Sequence, residues 1–276
     1  MATPFTPKQA HKFDGALLAK LQGNVSEQIA RQILELIPPI APTSKIHDNG
    51  CGYGSVTNEI LASPSTPKDI QITATDINAA LFTPLAERAE KEKLPVEVKQ
   101  MDACELTLPD ATFDLSISNF CFPGFKEPVK GAAHIKRILK PGGRAAVTVW
   151  DDIPWRELLV ETHRKVRGAD APPPPFLIDN CPTERLRDIL KEAGWQGVEY
   201  VTRSGWLSVE DLREWASLAW SFLGHPPGGW TPKDEEVWDE AIEIIVKGLD
   251  GICVEDGAGG WKCEMFATVA VWAKEA

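Results

Sequence analysis

Short strand-like stretches alternate with helical patterns along the first half of the chain, and this alternation restricts the fold more than any other feature. The stretches are Lys45 to Asp48, "IQITATD" (Ile70 to Asp76), "VEVKQMD" (Val96 to Asp102), "FDLSISN" (Phe113 to Asn119) and "RAAVTVW" (Arg144 to Trp150). Before the first of them, Asn24 and Glu27 form a capping box, and Val25, Ile29, Ile33 and Ile37 follow at helical spacing until Pro38-Pro39 stops the run. A second helical pattern runs from Val129 to Leu139 and ends at "KPGG" (Lys140 to Gly143). Strands joined through helices pair in parallel by right-handed crossovers, which place helices on both faces of the sheet. The expected fold is α/β, a Rossmann-like, doubly wound, mainly parallel sheet. Later, "TERLRDILKEAG" (Thr183 to Gly194) reads as a helix leading into "VEYVT" (Val198 to Thr202), and "CEMFATVAVWAKE" (Cys263 to Glu275) alternates like a final strand.

Two segments stand outside this pattern. "GADAPPPPFL" (Gly168 to Leu177) is proline-rich and reads as a stiff connector or as a lid. Ser208 to Gly251 holds two helix patterns, with Ser208 and Thr231 as N-caps, Pro232 in the first turn and much of the chain's tryptophan: Trp215, Trp220, Trp230 and Trp238. Trp215 and Trp238 fall on apolar helical faces, where core packing is the simpler role.

Between the first strand and the next helix lies "KIHDNGCGYGSVT" (Lys45 to Thr57). A glycine turn at that place offers backbone N–H groups and a helix N-terminus to a ligand at the carboxyl edge of the sheet. The dinucleotide pattern, counted from Gly50, meets Gly52 and then Ser55 instead of a third glycine, and the lysine of a phosphate loop is missing. Asp48 instead places a carboxylate beside the turn, which repels a pyrophosphate and suits a ligand with a cationic end. Asp76, ending the second strand, is placed to accept from two ribose hydroxyls, and Asp102, ending the third, can accept from an adenine amino group. That series of acids fits S-adenosyl-L-methionine, whose product form is S-adenosyl-L-homocysteine.

The blocks "DNGCGYG", "TATDIN", "QMDACELTLPDATFDLSISN" and "HIKRILKPGGRAAVTVW", spanning Lys45 to Trp150, resemble the class I S-adenosylmethionine-dependent methyltransferases. Within that family the chain is similar to fungal secondary-metabolite methyltransferases that act on small molecules. The resemblance implies a seven-stranded sheet with the last strand antiparallel and a helical insertion before it. It implies cofactor roles for Asp48, Gly50, Gly52, Asp76, Ile77, Asp102, Ala103 and Asn119, with Ile77 against the adenine. Cys51, in the turn itself, joins this set, and Phe13 is a candidate to close over the methionine end. The expected organisation is one domain: an N-terminal helical segment (1–44), a cofactor-binding core (45–150), a helical cap (205–262) and a final strand (263–276).

Methyl transfer is an in-line displacement, and much of its catalysis comes from holding nucleophile, methyl and sulfur in line. A base is needed only for an acceptor protonated at neutral pH. The candidates are His163, His225 and Asp152, none of them a convincing dedicated base, with Asp151 as a further possibility after the fifth strand. Trp150, Trp155 and Trp220 are candidates to touch substrate. No metal is expected, because the separated acid set of magnesium-dependent catechol methyltransferases is missing. A formal net charge of -11 argues against nucleic acid, and the apolar runs are too short to span a membrane. Six cysteines without a CxxC pair suit reduced thiols in a cytoplasmic protein. The expected function is methylation of an oxygen, sulfur or nitrogen on a small, largely apolar molecule; the alternatives are a cofactor-binding regulatory protein and a fold-sharing cyclase or rearrangement enzyme.

Overall fold

A computed structural model describes residues 4–12, 15–178 and 181–275. It divides into two compact units: a sheet unit of Ser26–Asp151, Cys181–Gly205 and Phe266–Ala276, and a helical unit of Met1–Val25, Asp152–Asn180 and Trp206–Met265. The helical insertion expected at 205–262 thus belongs to a larger unit that also takes in the start of the chain and the segment around the proline run.

In chain order the elements begin with α1 (Gly15–Gln22), α2 (Val25–Leu36), β1 (Lys45–Asn49), α3 (Ser55–Ala62), β2 (Gln71–Asp76), α4 (Ala79–Glu92), β3 (Val96–Gln100), β4 (Phe113–Asn119), α5 (Pro128–Ile138) and β5 (Leu139–Asp152). They continue with α6 (Pro154–Arg167), α7 (Pro175–Ile178), α8 (Thr183–Glu192), β6 (Glu199–Val209), α9 (Leu212–Leu223), α10 (Pro232–Glu236), α11 (Trp238–Ile252), β7 (Val254–Glu255) and β8 (Trp261–Ala273).

The strand order is β3-β2-β1-β4-β5-β8-β6, with β7 added against β8. Strands β1 to β5 pair in parallel. Against β5, β8 runs the other way: Gly142 N donates to Lys274 O at 3.0 Å, Lys274 N donates to Gly143 O at 2.8 Å, and Thr268 reaches Asp151. The chain travels outward from β1 to β3 and then returns to the opposite side of β1 with β4. That reversal opens a crevice at the carboxyl ends of β1 and β4, where ligands of open α/β sheets bind.

Alternation along the strands fills both faces. In β5, Val147 and Val149 join Ile135 and Ile138 of α5 and Leu186 and Leu190 of α8 in one buried cluster. Ala146 joins Ile29 and Ile33 of α2, Val56 and Ile60 of α3, and Ile46, Ile72 and Ile117 of the strands in another. Each such isoleucine or leucine contributes about 1.5–3 kcal/mol by leaving water.

In the helical unit α11 packs on α6 and α9. Gly248 allows the close approach to α6, since a Cβ there would lie 2.2 Å from a methyl of Leu158. Trp215, Trp220 and Trp238 are core, at 4%, 1% and 2% exposure. Two local expectations need correction. Ser208 lies within β6, and Asp211 caps α9 by accepting from Glu214 N at 2.8 Å. β7 is an additional strand, two residues long, and too short to show a period. Thr231 does begin its helix, in a capping box with Asp234. The six cysteines are free, and among the described residues no helix is long and apolar enough to cross a membrane.

Candidate functional site

The glycine turn is held from β2. Gly50, Gly52 and Gly54 take φ values of +66°, +49° and +87°, a region L-residues avoid. Gly50 also passes so close to the loop after β4 that a Cβ would lie 2.5 Å from Cβ of Cys121. Cys51 N donates to Thr75 O and Gly52 N to Oδ2 of Asp76, both at 2.9 Å. Oδ1 of Asp76 accepts from Asn78 N at 2.8 Å. Each oxygen of Asp76 therefore fixes one loop and keeps a lone pair for a ligand.

Asp48 sits behind the turn, 1% exposed, where its Oδ2 accepts from Thr57 N at 3.1 Å and Thr57 Oγ1 at 2.6 Å. It satisfies a first-turn N–H of α3 and so shapes the turn from below. Burial pushes its pKa up to about 6, opposed by the Thr57 bonds and assisted by the charge of Asp76. Because the folded state holds this proton more tightly, stability falls as pH rises from the unfolded pKa near 3.8 through about 6, by roughly 3 kcal/mol in all. Urea unfolding of the ligand-free protein is expected to show most of that loss between about pH 4 and 7 relative to Asp48→Asn, which keeps an acceptor for Thr57.

Four strand ends line a cleft of about 200 Å³: Asn49 and Gly50 after β1, Asp76 and Ile77 after β2, Met101, Asp102 and Ala103 after β3, and Cys121, Gly124, Phe125 and Lys126 after β4. Asp102 Oδ1 accepts from Cys104 N at 2.8 Å, which leaves Oδ2 for a ligand. Ile77 is 56% exposed, an apolar surface standing beside the two acids. The cleft thus brings together Gly50, Asp76, Ile77, Asp102 and Ala103. Asn49, Met101, Cys121, Gly124, Phe125 and Lys126 escaped the sequence reading; their one signal is position, since they follow or end strands at the switch point. Lys126 adds a cation to an edge expected to carry carboxylates alone.

The remaining expected residues lie elsewhere. Cys51 is buried against Ala74 and Leu85. Asn119 ties β4 to its surroundings, its Nδ2 donating to Ser26 O at 3.1 Å and its Oδ1 accepting from Thr148 Oγ1 at 2.7 Å. Trp150 stacks on Phe120 with centroids 3.8 Å apart. Phe13 lies outside the described residues.

His163, His225, Asp152, Trp155 and Trp220 belong to the helical unit. Arg167 Nη1 donates to Nδ1 of His163 at 3.0 Å, so the proton is on Nε2, which donates to Ala171 O at 3.1 Å. With both nitrogens engaged and burial lowering its pKa, His163 is a neutral structural link with no nitrogen left to act as a base. His225 is exposed and meets Trp230 edge-on at 5.2 Å. Asp152 is exposed, while its neighbour Asp151 accepts from Thr183 and Thr268. Trp155 packs edge-on against Trp215 at 5.6 Å, and Trp220 lies under the Arg167 guanidinium at 4.5 Å.

Residues 47–147, which hold the turn and every strand end of the cleft, match the family model described as a methyltransferase domain. These residues are similar to a methyltransferase domain. A malonyl-[acyl-carrier protein] O-methyltransferase of Paenibacillus sp. (strain JDR-2) is 25% identical over 185 residues, 65% of this chain and 66% of that protein. The methyltransferase ucsB of Acremonium sp. is 27% identical over 143 residues, 48% of this chain and half of that protein. In fold, the chain is similar to Haemonchus contortus phosphoethanolamine N-methyltransferase 2 in complex with S-adenosyl-L-methionine, with a TM-score of 0.55, 18% identity, and coverage of 90% of this chain and 53% of that one.

The residues of the cleft fit that cofactor. Asp76 and Asp102 each keep free acceptor capacity, Ile77 offers an apolar face, and the Asp48 carboxylate lies behind the turn, where its charge favours a cation in front of it. When bound, the cofactor supplies an activated methyl group on a sulfonium sulfur.

Proposed function

We propose that the protein transfers a methyl group from S-adenosyl-L-methionine to an oxygen, sulfur or nitrogen of a small, largely apolar molecule, in cytoplasmic secondary metabolism. The observation that carries this reading is the cleft at the switch point, where Asp76 and Asp102 present acceptors from two adjacent strand ends and Ile77 lines the same space. In it Asp76 takes the ribose hydroxyls, Asp102 the adenine amino group and Ile77 the adenine face. Gly50 and Gly52 give the backbone its close approach, and Asp48, Cys51 and Asn119 hold the walls in place.

The likeness to the Acremonium methyltransferase supports the fungal placement. The net charge of -11 disfavours nucleic acid as the acceptor. Positioning supplies the catalysis, and with His163 spent on Arg167 and Ala171 the reading needs no histidine base. The test is incubation of the purified chain with methyl-labelled cofactor and fractions of small-molecule extract. Label is expected in an extractable product. Tight cofactor binding with no labelled product from any fraction would favour a regulatory role, and a chemically altered product without label would favour a cyclase.

A further inference from the structure

Two free thiols meet in the helical unit, and neither belongs to the cleft. Cys253 ends α11, its N–H donating to Leu249 O at 2.8 Å, and Cys263 lies in β8. The antiparallel register pairs Glu255 with Trp261 and Val254 with Lys262, and its next step sets Cys253 opposite Cys263. Asp256 N donates to Gly260 O at 3.0 Å, which marks that pair as hydrogen-bonded. Bonded and non-bonded pairs alternate along an antiparallel ladder, so the two cysteines form a non-bonded pair, the kind whose side chains stand closer. Such a pair has its Cα atoms about 4.5 Å apart, inside the span of about 4.4–6.8 Å that a disulfide bridges. The sulfurs already touch: the Cys263 S–H donates to the sulfur of Cys253.

We propose that Cys253 and Cys263 are a peroxide-sensitive pair that closes into a reversible disulfide, joining the end of α11 to β8. The hydrogen bond between them holds the Cys253 pKa below the usual thiol value against the effect of burial, and the same bond, with burial, raises that of Cys263. Cys253 is therefore the attacking sulfur. It attacks one oxygen of hydrogen peroxide; an S–O bond forms, the O–O bond breaks, and the departing hydroxide takes the Cys253 proton as water. The Cys263 sulfur then attacks the sulfenic sulfur; an S–S bond forms, the S–O bond breaks, and the second hydroxide leaves as water with the Cys263 proton. The thiol pair gives up two electrons, and the peroxide is reduced to two waters. The link uses no cofactor, so it stands apart from the methyl-transfer reading.

Peptide mapping of the full chain after treatment with hydrogen peroxide tests this. Remaining thiols are alkylated under denaturing conditions, and digestion follows without reductant. A linked Cys253–Cys263 peptide pair is expected, lighter than the two reduced peptides by about 2 Da and lost on treatment with dithiothreitol. Peroxide applied in urea, where the register is gone, should scatter the pairings. Recovery of both cysteines alkylated from the native chain would overturn the proposal, as would either one joined to a different cysteine, or the same scatter with and without urea.

Discussion

Asp76→Ala is expected to weaken S-adenosylhomocysteine binding by about a hundredfold to ten-thousandfold in calorimetry. Hydrogen bonds to a charged group are worth about 1.5–3 kcal/mol each, and the side chain offers one free position on each oxygen to the two ribose hydroxyls. The same oxygens hold Gly52 N and Asn78 N, so the substitution also releases the glycine turn and the start of α4. Asp76→Asn keeps one acceptor oxygen and should lose less. An alanine variant that binds as tightly as the wild type would remove Asp76 from the site.

The largest effect on stability is expected at Arg167. Its Nε donates to Asp234 Oδ1 at 2.7 Å with both side chains more than nine-tenths buried, and its Nη1 donates to Gly224 O at 2.8 Å. Its guanidinium lies over Trp220 at 4.5 Å and Trp230 at 5.2 Å. Removing one member of a buried pair costs about 3–5 kcal/mol, chiefly because the other charge is left uncompensated. Arg167→Leu should lower the denaturant midpoint accordingly, and Asp234→Asn in the same chain should restore part of it. An exposed pair would move stability by about 1 kcal/mol or less, and a result of that size would show that Arg167 does not anchor the helical unit.

The sheet was legible because its strands and helices have different periods, and because Pro38-Pro39 and "KPGG" punctuate them. The two acids of the cleft were legible because Asp76 and Asp102 stand at the ends of strands that neighbour each other in the sheet. The role of Asp48 was not. A carboxylate beside a glycine turn reads as a ligand group, and only the fold brings Thr57 onto one of its oxygens. His163 misleads for a similar reason: a histidine on a helix has no sequence mark that says both nitrogens are spent. Trp220 and Trp230 are buried beside Arg167, four residues after His163, and composition does not reveal that buried charge. Asn49 was overlooked because asparagine before a glycine is an ordinary turn residue, and only the fold sets it in the cleft.

The cleft's acceptors are suited to a cationic sulfur nucleoside and poorly suited to a pyrophosphate. Titration of the wild-type chain with S-adenosylhomocysteine and, separately, with a nicotinamide dinucleotide decides this. One-site binding of the first and none of the second is expected; firm binding of the dinucleotide with no response to the sulfur nucleoside would refute the assignment of the site.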